Sequence, residues 1–194
     1  MASSSANFTD KGKKEWDELV SSFQNMDGSA VTVGIHANDA GRDDGEMNNA
    51  ALAAIHEFGK TFQHPGGTPY KIVGDGKAVF VEKGEEHDGV TGPHMITIPQ
   101  RSFLRSTASE KREMWLSTFI KAVANELPQN SVSDAAERVG AMMMGHVKRK
   151  ITDLKSPPNT PGTIRQKSVN GNVSDNPLID TGQLRRAIDY EVNI

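Results

Sequence analysis

The spacing of apolar residues changes from segment to segment along this chain, and each spacing predicts an element. Trp16, Leu19, Val20 and Phe23 stand three and four positions apart among Lys, Glu, Asp and Ser, which predicts an amphipathic helix over residues 11–25, stopped by Asp27-Gly28. Val31, Val33 and Ile35 alternate with Thr32 and Gly34, the period of a half-buried strand over residues 30–36. After a polar loop at 37–47, Asn48 is placed to cap a short helix that runs to Phe58 and ends on Gly59. Its alanines permit close packing, with Leu52, Ile55 and Phe58 as the expected buried stripe.

Between residues 60 and 92 the pattern becomes rich in Gly and Pro, and two short apolar runs, Tyr70 to Val73 and Ala78 to Val81, flank Gly74-Asp75-Gly76-Lys77. That is a hairpin pattern, so residues 61–92 are expected to form a β-hairpin arm inserted before the next core strand, His94 to Ile98. Pro99 closes that strand. Thr107-Ala108-Ser109-Glu110 has the form of a capping box before Trp115, Phe119, Val123 and Leu127, predicting a helix that ends near Leu127-Pro128. A further helix is expected from Val132 to Leu154, with Ala135, Val139, Met142, Met143, Val147 and Ile151 inward. Gly140 and Gly145 would each weaken it by ~1 kcal/mol relative to Ala, which suggests a backbone passing close by.

Residues 156–162 read as a stiff Pro-rich turn, followed by polar chain to Asn176. Asp180 or Thr181 is placed to cap a last short helix, and Ile188 to Val192 alternates as a terminal strand that should pair with the first one. The expected fold class is α+β: a mainly antiparallel sheet flanked by helices, with an inserted hairpin arm, in one domain over residues 10–194 after a flexible tail at 1–9.

Composition narrows the function more than the fold. A net charge of -3 argues against a general nucleic-acid coat, which carries a basic excess to neutralise phosphates. With no cysteine there is no disulfide or thiolate site, consistent with assembly in a reducing cytoplasm. The N-terminus has no secretion-signal pattern, and no run approaches the ~20 apolar residues of a membrane helix, so a soluble protein without membrane contact is expected.

Fragments of chemistry are present, but none is complete. His56-Glu57 is not followed by a second His at position 60, which is Lys, and His64, His87 and His94 do not supply a ligand spacing. Polar or interface histidines are the simpler reading, and a metallohydrolase the remote one. Asp39, Asp43, Asp44 and Glu46 lack the order of a calcium loop, and His64-Pro65-Gly66-Gly67 lacks the Gly-Lys-Ser/Thr end of a phosphate loop. No Gly-x-Ser-x-Gly elbow presents a nucleophile. The expectation is a protein without enzymatic activity, metal or cofactor.

Lys148, Arg149, Lys150 and Lys155, followed by Arg165 and Lys167, form a basic segment. It suits helix-dipole complementarity or an acidic partner better than DNA, but a DNA-binding module built on it is the main alternative. Met142-Met143-Met144 reads as core filler or an adaptable interface.

The order of three segments is more specific than any of these. Ile55-His56-Glu57-Phe58-Gly59, then Ile98-Pro99-Gln100-Arg101-Ser102-Phe103-Leu104-Arg105, then Pro177-Leu178-Ile179-Asp180-Thr181-Gly182-Gln183-Leu184 resembles the Mu-type virion-morphogenesis proteins and the related putative tail-component family of lambdoid phages. The resemblance spans roughly residues 10–194, with an arm longer than in minimal members. It implies a structural protein of the virion, assembled in the bacterial host cytoplasm. Such a protein forms a hexameric or dodecameric ring at the neck or upper tail, beside neck, portal-adaptor or tail proteins, with transient contact to genomic DNA in the channel. Phe58, Gly59, Pro99, Phe103, Leu104, Leu178, Asp180, Gly182 and Leu184 match its recurring positions and read as fold and docking residues. Tyr70, Val79 and Phe80 of the arm and Tyr190 of the last strand are the added interface candidates.

Overall fold

A computed structural model of the chain describes Lys14 and residues 30–41, 47–126 and 132–193. The tail at 1–9, the expected helix at 11–25 apart from Lys14, and the acidic residues Asp43, Asp44 and Glu46 lie outside the described residues. The remainder is α+β, with antiparallel strands throughout.

Strand β1 (Ala30–Gly34) pairs antiparallel with β7 (Asp189–Asn193), Val31 opposite Val192 and Val33 opposite Tyr190, so the terminal strand does pair with the first one. Helix α1 (Asn49–Phe58) begins where Asn48 Oδ1 accepts the Ala51 amide at 2.8 Å and ends on Gly59 at φ 74°. There the Gly59 N–H donates to Ile55 O at 2.8 Å, and an added Cβ would stand 3.0 Å from Gln100 N. Both ends follow the sequence expectation, whereas the buried stripe does not. Asn49, Ala53 and Glu57 are the buried residues, one per turn, and Phe58 is 63% exposed.

Strand β2 (Lys60–His64) pairs antiparallel with β6 (His94–Ile98), Lys60 opposite Ile98 and His64 opposite His94. Between them β3 (Pro69–Val73) is flanked by β4 (Lys77–Phe80) and the short β5 (Gly89–Val90). The expected hairpin is therefore present, turned by Gly74–Gly76, but His94–Ile98 is the returning leg of the arm's stem and not a core strand. Among the described residues the expected single sheet is three small ones.

Helix α2 (Leu104–Glu126) and helix α3 (Val132–Asp153) pack against each other, and α3 also covers the β1–β7 pair. Thr107 does not cap α2. It lies inside the first turn, donating to Phe103 O at 2.6 Å, and Glu110 instead accepts from Lys150 of α3 at 2.6 Å. Two helices follow: α4 (Pro161–Val169), where the sequence pattern predicts only polar chain, and α5 (Gln183–Arg186). Thr160 caps α4 through the Thr163 amide at 3.2 Å, with Pro161 in the first turn. Helix α5 is entered by Gly182 at φ 79° with no side-chain cap, so neither Asp180 nor Thr181 has the expected role.

The core gathers Ala53, Phe103, Val147, Ile151, Leu178, Leu184 and Ile188. Ala135 and Val139 of α3 are buried as expected, while Met142 and Met143 are half-buried. Gly140 is a site of close approach, though to a ring and not a backbone. A Cβ there would strike Tyr190 Cδ2 and lie 2.8 Å from Cε2 and 3.0 Å from Cγ. Gly145 has nothing within 4 Å. The two glycines thus predict opposite signs. Gly145→Ala should stabilise by up to about 1 kcal/mol through helix propensity, whereas Gly140→Ala should destabilise by about 1–2 kcal/mol, overpacking against Tyr190 outweighing the same gain. Urea denaturation of both variants checks the pair.

Candidate functional site

The three sequence segments of the resemblance, far apart along the chain, meet at one place. The C-terminal end of α1, the passage 99–105 into α2, and the loop 176–184 close on one another around Phe103, Leu178 and Leu184, all in the core cluster. His56 O accepts the Arg101 amide at 2.7 Å, which ties the first segment to the second. Leu52 and His56 share a small cavity, about 240 Å³, with Pro177, Asp180, Thr181 and Gln183 of the third.

Glu57 is the centre of the joint. It is 3% exposed, and its two carboxylate oxygens accept from Ser102 Oγ at 2.6 Å, Phe103 N at 2.8 Å, and Leu104 N, Arg105 N and Arg105 Nε at 3.0 Å. The first amides of a helix have no partner within it, and Glu57 supplies three of them with one, from a different helix. Burial by itself would raise its pKa. The hydrogen bonds from Ser102 and from the Leu104, Phe103 and Arg105 amides prevail and hold it below the ordinary value. Arg105 adds a second link, Nη2 donating to Glu57 O at 2.9 Å, and its guanidinium stands 4.4 Å from the centre of the Phe58 ring. Phe58 therefore acts as an exposed platform for Arg105 and not as a core anchor.

Arg101 is buried and forks onto the next loop. Nε donates to Pro157 O at 2.8 Å, and Nη2 to Pro158 O at 3.0 Å and Asn159 Oδ1 at 3.3 Å. Behind it, Lys167 of α4 donates to Asn176 O at 2.8 Å and to Ile179 O. Asn176 in turn donates to Ile151 O at 3.2 Å and Thr152 O at 2.7 Å and accepts the Leu178 amide at 2.9 Å. Asp180 accepts from Asn172 Nδ2 at 3.1 Å. Burial lowers the Lys167 pKa, with Asp180 and Asp175 opposing and Arg101 reinforcing the shift.

This disposes of Lys167 as a surface cation: it is 6% exposed, with its ammonium on backbone carbonyls. Of the rest of the basic segment, Lys150 bonds Glu110, Lys155 lies 3.3 Å from Asp175, Lys148 and Arg165 are half-buried and Arg149 is exposed. Among the arm candidates Val79 is buried, Tyr70 half-buried and Phe80 47% exposed. Phe80 N donates to Gln166 Oε1 at 3.0 Å and its carbonyl accepts from Gln166 Nε2 at 3.2 Å, so one amide side chain of α4 fastens the edge of the arm to the body. Leu104 is half-buried beside the core, and Tyr190 packs on Gly140.

His64 and His94 face each other across the stem with ring centres 5.1 Å apart, His64 Nδ1 accepting from Gly66 N and His94 Nδ1 meeting Gly92 O. Among the described residues no three His, Asp or Glu side chains come together as a metal site. His56 is held neutral. Burial, and secondarily the Arg101 charge, lowers its pKa from 6.5 to about 4. Because the folded protein binds this proton more weakly than the unfolded chain, stability is full above pH 6.5 and falls as pH drops toward 4. After allowance for partial solvent access, that loss should reach about 2 kcal/mol. Glu57 acts in the same sense at still lower pH, since its depressed pKa means that its contribution is lost as acid protonates it. Urea titrations between pH 7 and 4 should show the first decline, and His56→Gln should flatten it.

The sequence reading did not find Glu57, Arg101 or Asn176 as structural centres. A usable pattern existed for Glu57, which continues the row Asn49, Ala53 at steps of four on a helix face that Ala53 marks as close-packed. Chemically, Glu57, Arg101, Lys167 and Asn176 are all engaged in holding backbone. Among the described residues no helix is long and apolar enough to cross a membrane. No family model, curated protein or solved structure matches the chain.

Proposed function

We propose that the chain is a non-enzymatic structural component of a tailed-bacteriophage virion, a subunit of a hexameric or dodecameric ring in the neck or at the upper end of the tail. The observation that carries this reading is the use made of its three diagnostic segments. Their charged residues Glu57, Arg101 and Arg105 cross-link chain segments through backbone amides and carbonyls, which suits a part whose work is to hold shape under load. The arm supports it further, because a β extension that exposes Ile72, Phe80, Val90 and Met95 offers apolar surface for a neighbour.

In this reading Phe103, Leu178 and Leu184 keep the joint rigid while the arm and the β1–β7 pair meet adjacent subunits or the next ring of neck, portal-adaptor or tail protein. Native mass spectrometry of the purified chain tests it. The expected result is a dominant species of six or twelve chains that disappears when residues 61–92 are deleted and replaced by a short turn. A monomer at all concentrations, or assembly unaffected by the deletion, counts against it. DNA binding that weakens steeply with salt would favour the basic-segment alternative instead.

A further inference from the structure

Helices α2 and α3 run antiparallel with their register fixed at two points. Glu110 accepts from Lys150 at 2.6 Å, and Trp115 Nε1 donates to His146 Nδ1 at 2.9 Å with the two rings nearly parallel. An indole N–H can only donate, so it sets the tautomer: His146 Nδ1 carries the lone pair and the neutral ring keeps its proton on Nε2. That N–H meets no acceptor among the described residues. Lys111 stands one helical turn before Trp115 on α2 and Arg149 one turn after His146 on α3, which brings both cations to the same stretch of the seam. Burial lowers the His146 pKa and the charges of Lys111 and Arg149 lower it further, so both cations act on the ring. Among the described residues neither forms an ion pair, and Glu110 is taken up by Lys150. Two cations and an oriented N–H donor around one point make a site for a carboxylate or another oxyanion.

The chain carries the complementary ligand on its arm, in the loop at residues 82–88. Every residue of that loop is exposed, Glu82, Glu85, Glu86 and Asp88 outweigh Lys83, and the Glu86 side chain is 94% exposed. The loop is also preformed. Glu85 N donates to Glu82 O at 3.1 Å, Glu85 Oε2 accepts from Glu82 N at 3.2 Å, and Asp88 Oδ2 accepts from Ile72 N at 2.5 Å, so docking it costs little ordering entropy. We propose that this loop in one copy of the chain docks its carboxylates on Lys111, His146 and Arg149 of the next copy. Docking of this kind joins unlike surfaces, so the contact repeats head to tail, the arrangement from which closed rings are built. It rests on the ring reading above and names the two surfaces that meet. A carboxylate loop suits the site better than a nucleic-acid backbone does. DNA binders neutralise a run of phosphates, whereas here two cations lie among Glu110, Glu113 and Asp153 of the same helices.

Charge reversal in the full-length chain, read by native mass spectrometry over a concentration series, tests the docking. One variant carries Lys111→Glu with Arg149→Glu, the other Glu82→Lys with Glu86→Lys; Glu85 and Asp88 are left to shape the loop. Each reversal alone should raise the concentration at half-assembly by more than about tenfold, because like charges then face each other. An equimolar mixture of the two variants should recover a species of the parental number of chains containing both in equal amounts, which also shows that both variants are folded. A parent that assembles and a loop variant, reversed at exposed positions only, that assembles equally well would overturn the docking and leave the ring standing. So would two variants that both fail to assemble and are not rescued by mixing although their circular dichroism matches the parent. A parent that stays monomeric at all concentrations would overturn the ring and the docking together. Salt-sensitive DNA binding that is lost in the Lys111→Glu, Arg149→Glu variant while its assembly is unchanged would assign the site to nucleic acid and overturn the docking in that direction.

Discussion

Glu57→Ala should lower the free energy of unfolding by about 3–4 kcal/mol, the largest loss expected from any single polar side chain in the protein. Three amides at the start of α2 and the Ser102 hydroxyl lose their acceptor together, inside a joint that water reaches poorly. A typical hydrogen bond contributes only about 1 kcal/mol net, but a buried donor left alone costs about 1–3 kcal/mol, so the orphaned amides dominate the outcome. Arg105 matters less, because its side chain is half-exposed and water replaces what it loses. Glu57→Gln keeps one carbonyl oxygen and should fall between the two. Equilibrium urea denaturation followed by circular dichroism reads both, and a glutamine variant as stable as the parent would show that the charge contributes nothing.

Arg101→Ala is the second large effect, expected at about 3 kcal/mol. Here the acceptors are stranded: two carbonyls of the Pro157-Pro158 turn and the Asn159 side chain lose the guanidinium that gathers them. Arg101→Lys should recover less than half of the loss, since an ammonium cannot reproduce a planar fork directed at separate oxygens. Thermal unfolding of the two variants separates loss of the fork from loss of the charge. Recovery to parental stability by lysine would mean that charge alone holds the turn.

What the sequence made legible follows from how local each cause is. The ends of α1 depend on Asn48 and Gly59, residues whose preferences act within one turn, and both were readable. The span of α3 and the pairing of β7 with β1 were likewise carried by periodicity. Helix α4 was missed because its apolar content is slight. Its identity rests on the Thr160 cap and on Lys167 and Gln166 reaching other elements. Phe58 was misread because hydrophobicity suggests an anchor, whereas Arg105, brought in from α2, gives the ring a partner at the surface. The return leg His94–Ile98 alternates equally well as a core strand or an arm strand, and only its pairing with Lys60–His64 decides. In the joint, Glu57, Arg101 and Lys167 act across separations of 45 residues and more, or through backbone carbonyls, neither of which periodicity encodes.

The same joint gives the proposed function its physical content, because buried charges that organise loops favour one well-defined shape, as repeated subunits in a closed ring require. Electron microscopy of the purified full-length chain addresses that directly. Closed rings with sixfold or twelvefold symmetry, each subunit's arm reaching its neighbour, are the predicted result; dispersed monomers or open filaments would contradict it.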